Sequence, residues 1–190
     1  VAGYSGVGTL QIFTVLRYNT GGSLDVSFDT DGIVTTDIGT SDEGASSVAI
    51  QSDGKIVAAG YISDGINYDI AVVRYNTNGS LDNTFDTDGI VTTDIGTKND
   101  FAISLVIQSD GKIVVTGESY NLTNDEIALV RYNTNGSLDN TFDTDGIVTT
   151  DLGISDEVGI SLALQSDGKI VVAGEGHNGT DYEIALLRYN

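Results

Sequence analysis

The stretch RYNTNGSLDNTFDTDGIVTTD occupies residues 74–94 and recurs unchanged at 131–151. A looser copy, RYNTGGSLDVSFDTDGIVTTD, occupies 17–37, and RYN occupies 188–190. The arginine that opens each copy therefore returns every 57 residues. A fixed period of this size is typical of a repeat architecture, in which each period is one supersecondary unit that packs against its neighbours. We therefore expect a single repeat domain over residues 1–190.

The composition excludes several classes of function. The chain carries 28 acidic and 8 basic residues, a formal net charge of -20. A nucleic-acid partner is excluded because phosphate binding requires a clustered lysine and arginine surface. Cysteine is absent, which excludes disulfides, thiolate nucleophiles and cysteine-ligated metals. No apolar run approaches the roughly 20 residues of a membrane-spanning helix, so we expect no membrane insertion.

One period contains four short runs with the composition of β-strands. They are rich in small and β-branched residues and are separated by Gly, Asn and Asp. None has a helical period, and no linker is long enough for a crossover helix, so the runs predict four antiparallel strands joined by hairpins. The runs are SSVAIQ (46–51), KIVAAGY (55–61), DIAVVRY (69–75) and IVTTDI (90–95).

The burial pattern favours a β-propeller among the all-β folds. KIVAAG is apolar at adjacent positions, which indicates a strand covered on both faces. A two-sheet sandwich would alternate apolar and polar residues instead. The more polar IVTTDI is expected at the outer edge of each blade. A stacked β-solenoid is the competing architecture, but one of its coils rarely needs so long a repeat.

The period divides the chain into blades. We expect a partial blade at 1–39, blades at 40–95 and 96–152, and a partial blade at 153–190. About three and a third blades cannot close a ring, because closed propellers have typically 4–8 blades. We expect the chain to be a fragment of a longer propeller. The alternative is that several copies complete a ring or a stack through their open blade ends.

The repeated motif Q-S-D-G-K-I-V-x-x-G, followed by A-x-x-R-Y-N-x-x-G-S-L-D-x-x-F, resembles the bacterial delta-sixty propeller repeat and, more distantly, NHL-type blades. The resemblance spans the whole chain. It implies a propeller in a long secreted or surface-attached bacterial protein of unassigned function, and it supplies no catalytic residues. The chain departs from the usual repeat at Asp29, Asp86 and Asp143, where glycine is more common.

An acidic loop in each period is the candidate metal site. Alternating carboxylates followed by glycine can supply several of the six to eight oxygens that Ca²⁺ takes. The alternative is that Asp and Gly only form the turn through side-chain hydrogen bonds to the backbone. The candidate ligands are Asp25, Asp29, Asp31, Asp82, Asp86, Asp88, Asp139, Asp143 and Asp145.

The recurring arginines, Arg17, Arg74, Arg131 and Arg188, are predicted to form structural ion pairs. Their expected partners are the aspartates of TTD on the neighbouring outer strand, since opposite charges pair across strands. A ring of arginines that binds an acidic ligand is the less favoured alternative. The expected partners are Asp37, Asp94 and Asp151.

Two further groups have structural interpretations. The lysine of each QSDGK turn, such as Lys55, is expected as an edge charge on a hairpin. His177 is the only histidine, and Glu175 and Asp181 are its acidic neighbours. Without a nucleophile or further ligands, these residues form neither a catalytic triad nor a zinc site.

These observations predict a non-catalytic structural or adhesive module of a secreted or cell-surface bacterial protein, stabilised by calcium if the acidic loops bind it. Its partners would be proteins or surface glycans. One alternative is a lectin-like or enzymatic propeller completed by other parts of a parent protein. The other is a subunit that assembles itself into a ring or fibre. Near-identical blades speak against an enzyme, because catalysis requires blades that differ.

Overall fold

A computed structural model describes residues 1–7, 10–96, 98–153 and 155–190. The described residues form antiparallel sheets of three or four strands and contain no α-helix. Within these ranges no helix has the length and apolar character needed to cross a membrane.

Four sheets follow one another along the chain, and we call them the first to fourth blades. The first blade contains β1 (Ala2–Val7), β2 (Leu10–Leu16) and β3 (Ile33–Thr36). The second contains β4 (Glu43–Ile50), β5 (Ile56–Ser63), β6 (Tyr68–Tyr75) and β7 (Ile90–Thr93). The third contains β8 (Asp100–Ile107), β9 (Ile113–Tyr120), β10 (Asp125–Tyr132) and β11 (Ile147–Thr150). The fourth contains β12 (Glu157–Leu164), β13 (Ile170–His177) and β14 (Tyr182–Tyr189).

The four predicted strands of a period are all present, with small differences at their ends. β4 begins earlier than expected, at Glu43, and continues through a β-bulge between Ala45 and Ser47. β7 ends earlier, at Thr93, so that Asp94 lies outside the sheet. The bulge adds one residue to the inner strand without moving the rest of the pairing, which a composition pattern does not reveal.

Consecutive blades pack face to face and enclose a hydrophobic cluster at each contact. Between the second and third blades, Ile70 and Val72 lie in one cluster with Val115 and Tyr132, and all four are fully buried. The equivalent clusters lie between the first and second blades and between the third and fourth. Strands covered on both faces explain the continuous apolar runs of the sequence.

The strand order makes each full sheet a propeller blade. In the second blade the order is β4-β5-β6-β7, and in the third it is the same for the equivalent strands. The first strands of successive blades contact one another, β4 with β8 and β8 with β12, so they form the inner edge. The polar outer strand is β7 or β11, as predicted. The all-β propeller prediction is confirmed.

Candidate functional site

The repeated arginine is the centre of a recurring set of contacts, which we call the arginine staple. In the second blade, Arg74 Nε donates to Asp82 Oδ2 at 2.6 Å. Its Nη1 donates to the backbone carbonyl of Thr134 in the next blade, at 2.6 Å. The guanidinium carbon lies 4.6 Å from the ring centroid of Phe85. One side chain thus ties its own loop to the following blade through charge, hydrogen bonds and a cation–π contact.

The staple recurs in the first blade, where Arg17 Nη1 donates to the carbonyl of Thr77, and its contacts within the blade recur in the third. Arg17 Nε donates to Asp25 at 2.8 Å, and Arg131 Nε donates to Asp139 at 2.7 Å. The side chain of Arg74 is 6% exposed, that of Arg131 14% and that of Arg17 27%. Arg188 is exposed. The energetic weight of the staple therefore differs between blades, because burial strengthens charge interactions.

A lysine joins two of the staples. Lys55 Nζ donates to Asp82 Oδ2 at 2.7 Å, and Lys112 Nζ donates to Asp139 Oδ2 at 2.9 Å. Burial alone would raise the pKa of Asp82, but hydrogen bonds from Lys55 and the Thr84 hydroxyl outweigh it, and the pKa lies well below its usual range. In these two turns the lysine therefore joins the arginine and the aspartate in a cluster of three charges, whereas Lys169 contacts Asp167 of its own turn.

The partners of the arginines are therefore not the predicted Asp37, Asp94 and Asp151. Arg74 lies at the end of β6, where its backbone N–H donates to Gly89 O just before β7 begins. Asp94 follows the far end of β7, about 13 Å further along at roughly 3.3 Å per residue. Asp151 instead accepts from the backbone N–H of Gly153 at 2.6 Å. The antiparallel register thus brings the loop aspartate, not the TTD aspartate, to the arginine.

The acidic loops use their carboxylates in three ways. Asp25, Asp82 and Asp139 are held by the staples. Asp31, Asp88 and Asp145 each accept the backbone N–H two residues ahead, at 2.9 to 3.0 Å. Asp29, Asp86 and Asp143 have left-handed backbones, with φ of 47°, 42° and 43°. These contacts explain the recurring aspartates by their role in forming the turn. Calcium binding in the loops stays a prediction.

The blades differ from one another mainly at one edge. In the second blade this edge carries the hairpin between β5 and β6, and in the other blades it carries the equivalent hairpin. At the contact of the second and third blades, this edge carries an aromatic cluster of Tyr61, Tyr68 and Phe101. The ring centroids are 5.6 Å apart for Tyr61 and Tyr68, 5.5 Å for Tyr61 and Phe101, and 5.0 Å for Tyr68 and Phe101. Three half-buried rings form an apolar platform at an otherwise acidic edge.

At the contact of the third and fourth blades, the same edge carries an acidic pocket. The cavity has a volume of about 210 Å³ and is lined by Glu118, Asp156, Glu157, Val158, Glu175, His177 and Tyr182. Burial, and then the charges of Asp125 and Asp156, raise the pKa of Glu118 from 4.5 to about 7. The His177 ring meets the Tyr182 ring edge-on, with 4.9 Å between centroids. A carboxyl group that titrates near neutrality can both donate and accept a proton.

His177 and Glu175 were singled out from the sequence, whereas Glu118 and Asp156 were not, because they belong to the preceding blade and the connection after it. Asp181 is not among the residues that line the pocket. The sequence signal that could have identified the pocket residues lies in the differences between periods. Tyr4, Tyr61, Glu118 and Glu175 occupy one repeat position, and only a blade-by-blade comparison separates the aromatic pair from the acidic pair.

Residues 1–28, 51–85, 108–142 and 165–190, more than half of the chain, match the family model described as a domain of unknown function (DUF5122) beta-propeller. No curated protein sequence matches the chain. Among solved structures, the chain resembles that of MPT-4, a mannose phosphorylase from Leishmania mexicana in complex with phosphate ion, with a TM-score of 0.46 and 12% identity. The match covers 98% of this chain and 66% of that protein, so the chain spans just under two thirds of its length. The chain belongs to the DUF5122 beta-propeller family of unknown function.

Proposed function

We propose that the chain is a non-catalytic structural or adhesive module of a secreted or cell-surface bacterial protein. The observation that carries this proposal is the repetition of one arginine–aspartate pair in three consecutive blades. Two of these arginines also link their blade to the next through a backbone carbonyl, Arg17 through Thr77 and Arg74 through Thr134. Such a frame is suited to holding a surface rigid, since each unit is fixed by its neighbours.

The surface proposed to meet a partner is the aromatic cluster of Tyr61, Tyr68 and Phe101. Rings of this kind provide contact area at little cost in side-chain entropy, and tyrosine combines an apolar face with a polar hydroxyl. The partner is a protein or a surface glycan, because the net charge of -20 disfavours polyanions. This surface is adhesive rather than catalytic, since it offers stacking and hydrogen bonding without a reactive group.

The test is a binding screen against bacterial surface polysaccharides and extracellular proteins, with Tyr61→Ala and Tyr4→Ala compared. The two tyrosines share one repeat position, but Tyr4 is 60% exposed in the first blade. We expect Tyr61→Ala to weaken binding roughly fivefold or more, since a stacked ring contributes about 1 kcal/mol or more. Tyr4→Ala should bind like the parent chain. Equal binding by both variants would remove the aromatic cluster from the proposal.

A second candidate is an enzyme, and the acidic pocket is what favours it. Glu118, with its pKa raised to about 7, shares the cavity with Asp156, Glu175 and His177. Two carboxylates in different environments are the usual arrangement of a general acid and a general base. We prefer the non-catalytic module to the enzyme, because the pocket has no identified nucleophile or binding subsite for a substrate.

Hydrolysis of a panel of aryl glycosides and aryl esters separates the two candidates. The module predicts no turnover above that in buffer. Turnover that Glu118→Gln abolishes, while Glu126→Gln leaves it intact, would establish an enzyme. Glu126 is a suitable control because its Oε1 accepts from Asn121 Nδ2 in its own hairpin.

A further inference from the structure

A buried acid begins the inner strand of each blade that follows another, and it holds the connection between the two blades. Both oxygens of Glu43 accept from the backbone N–H of Ile38, at 3.0 and 2.9 Å. Glu157 Oε1 accepts from the N–H of Leu152 at 3.0 Å. The equivalent residue between the second and third blades is Asp100, which is one methylene shorter. Its Oδ2 accepts from the N–H of Ile95 at 2.8 Å.

The other oxygen of Asp100 lacks such a partner. Asp100 is 0% exposed, and no donor meets Oδ1 in hydrogen-bond geometry, although the Ser119 hydroxyl and the Gly96 N–H lie near the carboxylate and favour its charged form. A buried carboxylate oxygen without a partner loses its hydration and gains nothing in return. Glu43, the equivalent residue of the second blade, accepts with both of its oxygens, so Asp100 differs from it in this respect.

Two more carboxylates lie beside Asp100. One oxygen each of Asp69, Asp94 and Asp100 lies within 4.8 Å of the other two. Opposite ligands of a Ca²⁺ ion are about 4.6 to 5.2 Å apart, twice the Ca–O distance of about 2.3 to 2.6 Å. One ion can therefore bind all three. Asp94 is exposed, which leaves an entry path and room for water ligands.

The trio is specific to this contact among the residues that the structure describes. At the repeat position of Asp69, the first blade has Ile12 and the third has Glu126. Ile12 cannot ligate a metal, and Glu126 is hydrogen-bonded to Asn121. The aspartate at the position of Asp94 is present in all three periods, as Asp37 and Asp151 in the others. The neighbouring blades therefore serve as internal controls.

We propose that Asp69, Asp94 and Asp100 bind one Ca²⁺ ion between the second and third blades. The ion replaces the missing donor of the buried carboxylate and neutralises charges that otherwise repel one another. Burial, followed by the charges of Asp94 and Asp100, raises the pKa of Asp69, as expected for carboxylates crowded without a cation. This site is separate from the acidic loops and does not depend on the proposed adhesive function.

The experiment is a calorimetric titration of the chain with Ca²⁺, repeated with Asp69→Asn and Asp37→Asn. We expect one saturable site, affinity reduced roughly tenfold or more in Asp69→Asn, since even outer-shell changes cost that much, and no change in Asp37→Asn. Terbium luminescence gives a second readout, because Tyr68 precedes Asp69 and can sensitise a bound ion. The luminescence should vanish in Asp69→Asn and be displaced by Ca²⁺.

Three results would overturn the site. These are no saturable binding by the parent chain, unchanged binding by Asp69→Asn, or equal loss in Asp37→Asn, which would indicate diffuse attraction to an acidic surface. Loss of binding in Asp88→Asn with Asp69→Asn unaffected would move the ion to the acidic loops. If Asp69→Asn does not fold by circular dichroism, Asp94→Asn replaces it, because that side chain is exposed.

Discussion

At the scale of single residues, the same arginine occupies environments of different polarity. Arg74 and its partner Asp82 are 6% and 4% exposed at their side chains, whereas Arg17 and Asp25 are 27% and 23% exposed. A buried charge that loses its partner costs several kcal/mol, but an exposed pair contributes little because water solvates and screens both charges. Near-identical sequence thus conceals unequal energetics.

This difference predicts unequal effects of one substitution. Arg74→Ala should lower the free energy of unfolding by about 3 kcal/mol, the lower end for a broken buried pair, because Lys55 still holds Asp82. Arg17→Ala should cost about 1 kcal/mol or less. Urea unfolding followed by circular dichroism measures both. Equal losses would show that burial does not control the strength of the staple.

The pKa of Glu118 predicts a dependence of stability on pH. A raised pKa in the folded state means that the folded chain holds the proton more tightly than the unfolded chain. The stabilisation is complete below the unfolded value of 4.5, and it is lost as the pH rises through about 7. The free energy of unfolding should therefore be lower at about pH 8 than at about pH 5, and Glu118→Gln should reduce that difference.

Urea unfolding of the parent chain and Glu118→Gln at the two pH values tests this prediction. The comparison isolates Glu118, because burial also raises the pKa values of Asp69, Asp100 and Asp125 in both proteins. Glu126→Gln serves as the control for removing one negative charge. An identical pH slope in the parent chain and Glu118→Gln would contradict the prediction.

At the scale of strands, a glycine opposite each β-bulge makes the blade possible. A Cβ built on Gly60 would lie 1.9 Å from the carbonyl oxygen of Gly44, where the bulge in β4 brings two strands together. Gly117 and Gly174 meet the same obstacle in their blades, at 1.8 and 2.1 Å. These glycines are required by close backbone approach, not by an unusual backbone angle.

The first blade provides a matched control for this requirement. Gly3 occupies the repeat position of Gly60, but a Cβ there meets nothing within 4 Å. We expect Gly60→Ala to lower the free energy of unfolding by about 3 kcal/mol or more, because backbone must move. Gly3→Ala should change it by no more than about 0.5 kcal/mol. Thermal unfolding of the two variants is the measurement, and equal melting temperatures would contradict the steric argument.

At the scale of the whole molecule, the fourth blade exposes apolar residues on its outward face. The residues at the same repeat positions in other blades are buried. Ile184 and Leu186 are 93% and 74% exposed, whereas Ile70 and Val72, at the same repeat positions, are 0% exposed. Exposed apolar sheet faces of this kind favour association. The predicted self-association through open blade ends therefore has an identified surface.

Sedimentation velocity tests this surface. We expect the isolated chain to sediment faster with increasing concentration, and Leu186→Glu to restore the monomer. Ile66→Glu should have no effect, because Ile66 is 84% exposed in a hairpin and lies on no such face. A parent chain that remains monomeric at every concentration would contradict the predicted self-association.

Local features of this protein were predictable from its sequence, whereas contacts between strands were not. The period of the arginines, the composition of the four runs and their turn residues were sufficient to predict blades and strand order, because these are local patterns repeated many times. The ion pairs were harder. Choosing Asp82 instead of Asp94 as the partner of Arg74 required the antiparallel register of β6 and β7, and sequence spacing does not contain it.

The sequence by itself determined the propeller architecture, the acidic character and the absence of cysteine chemistry. Only the tertiary structure decided which charges meet. It brought Glu118 and Asp156 to a pocket with residues of the next blade, and it brought Asp69, Asp94 and Asp100 within 4.8 Å of one another. The physical reason is that a repeat specifies each unit locally, whereas charge interactions depend on distances between strands and on burial.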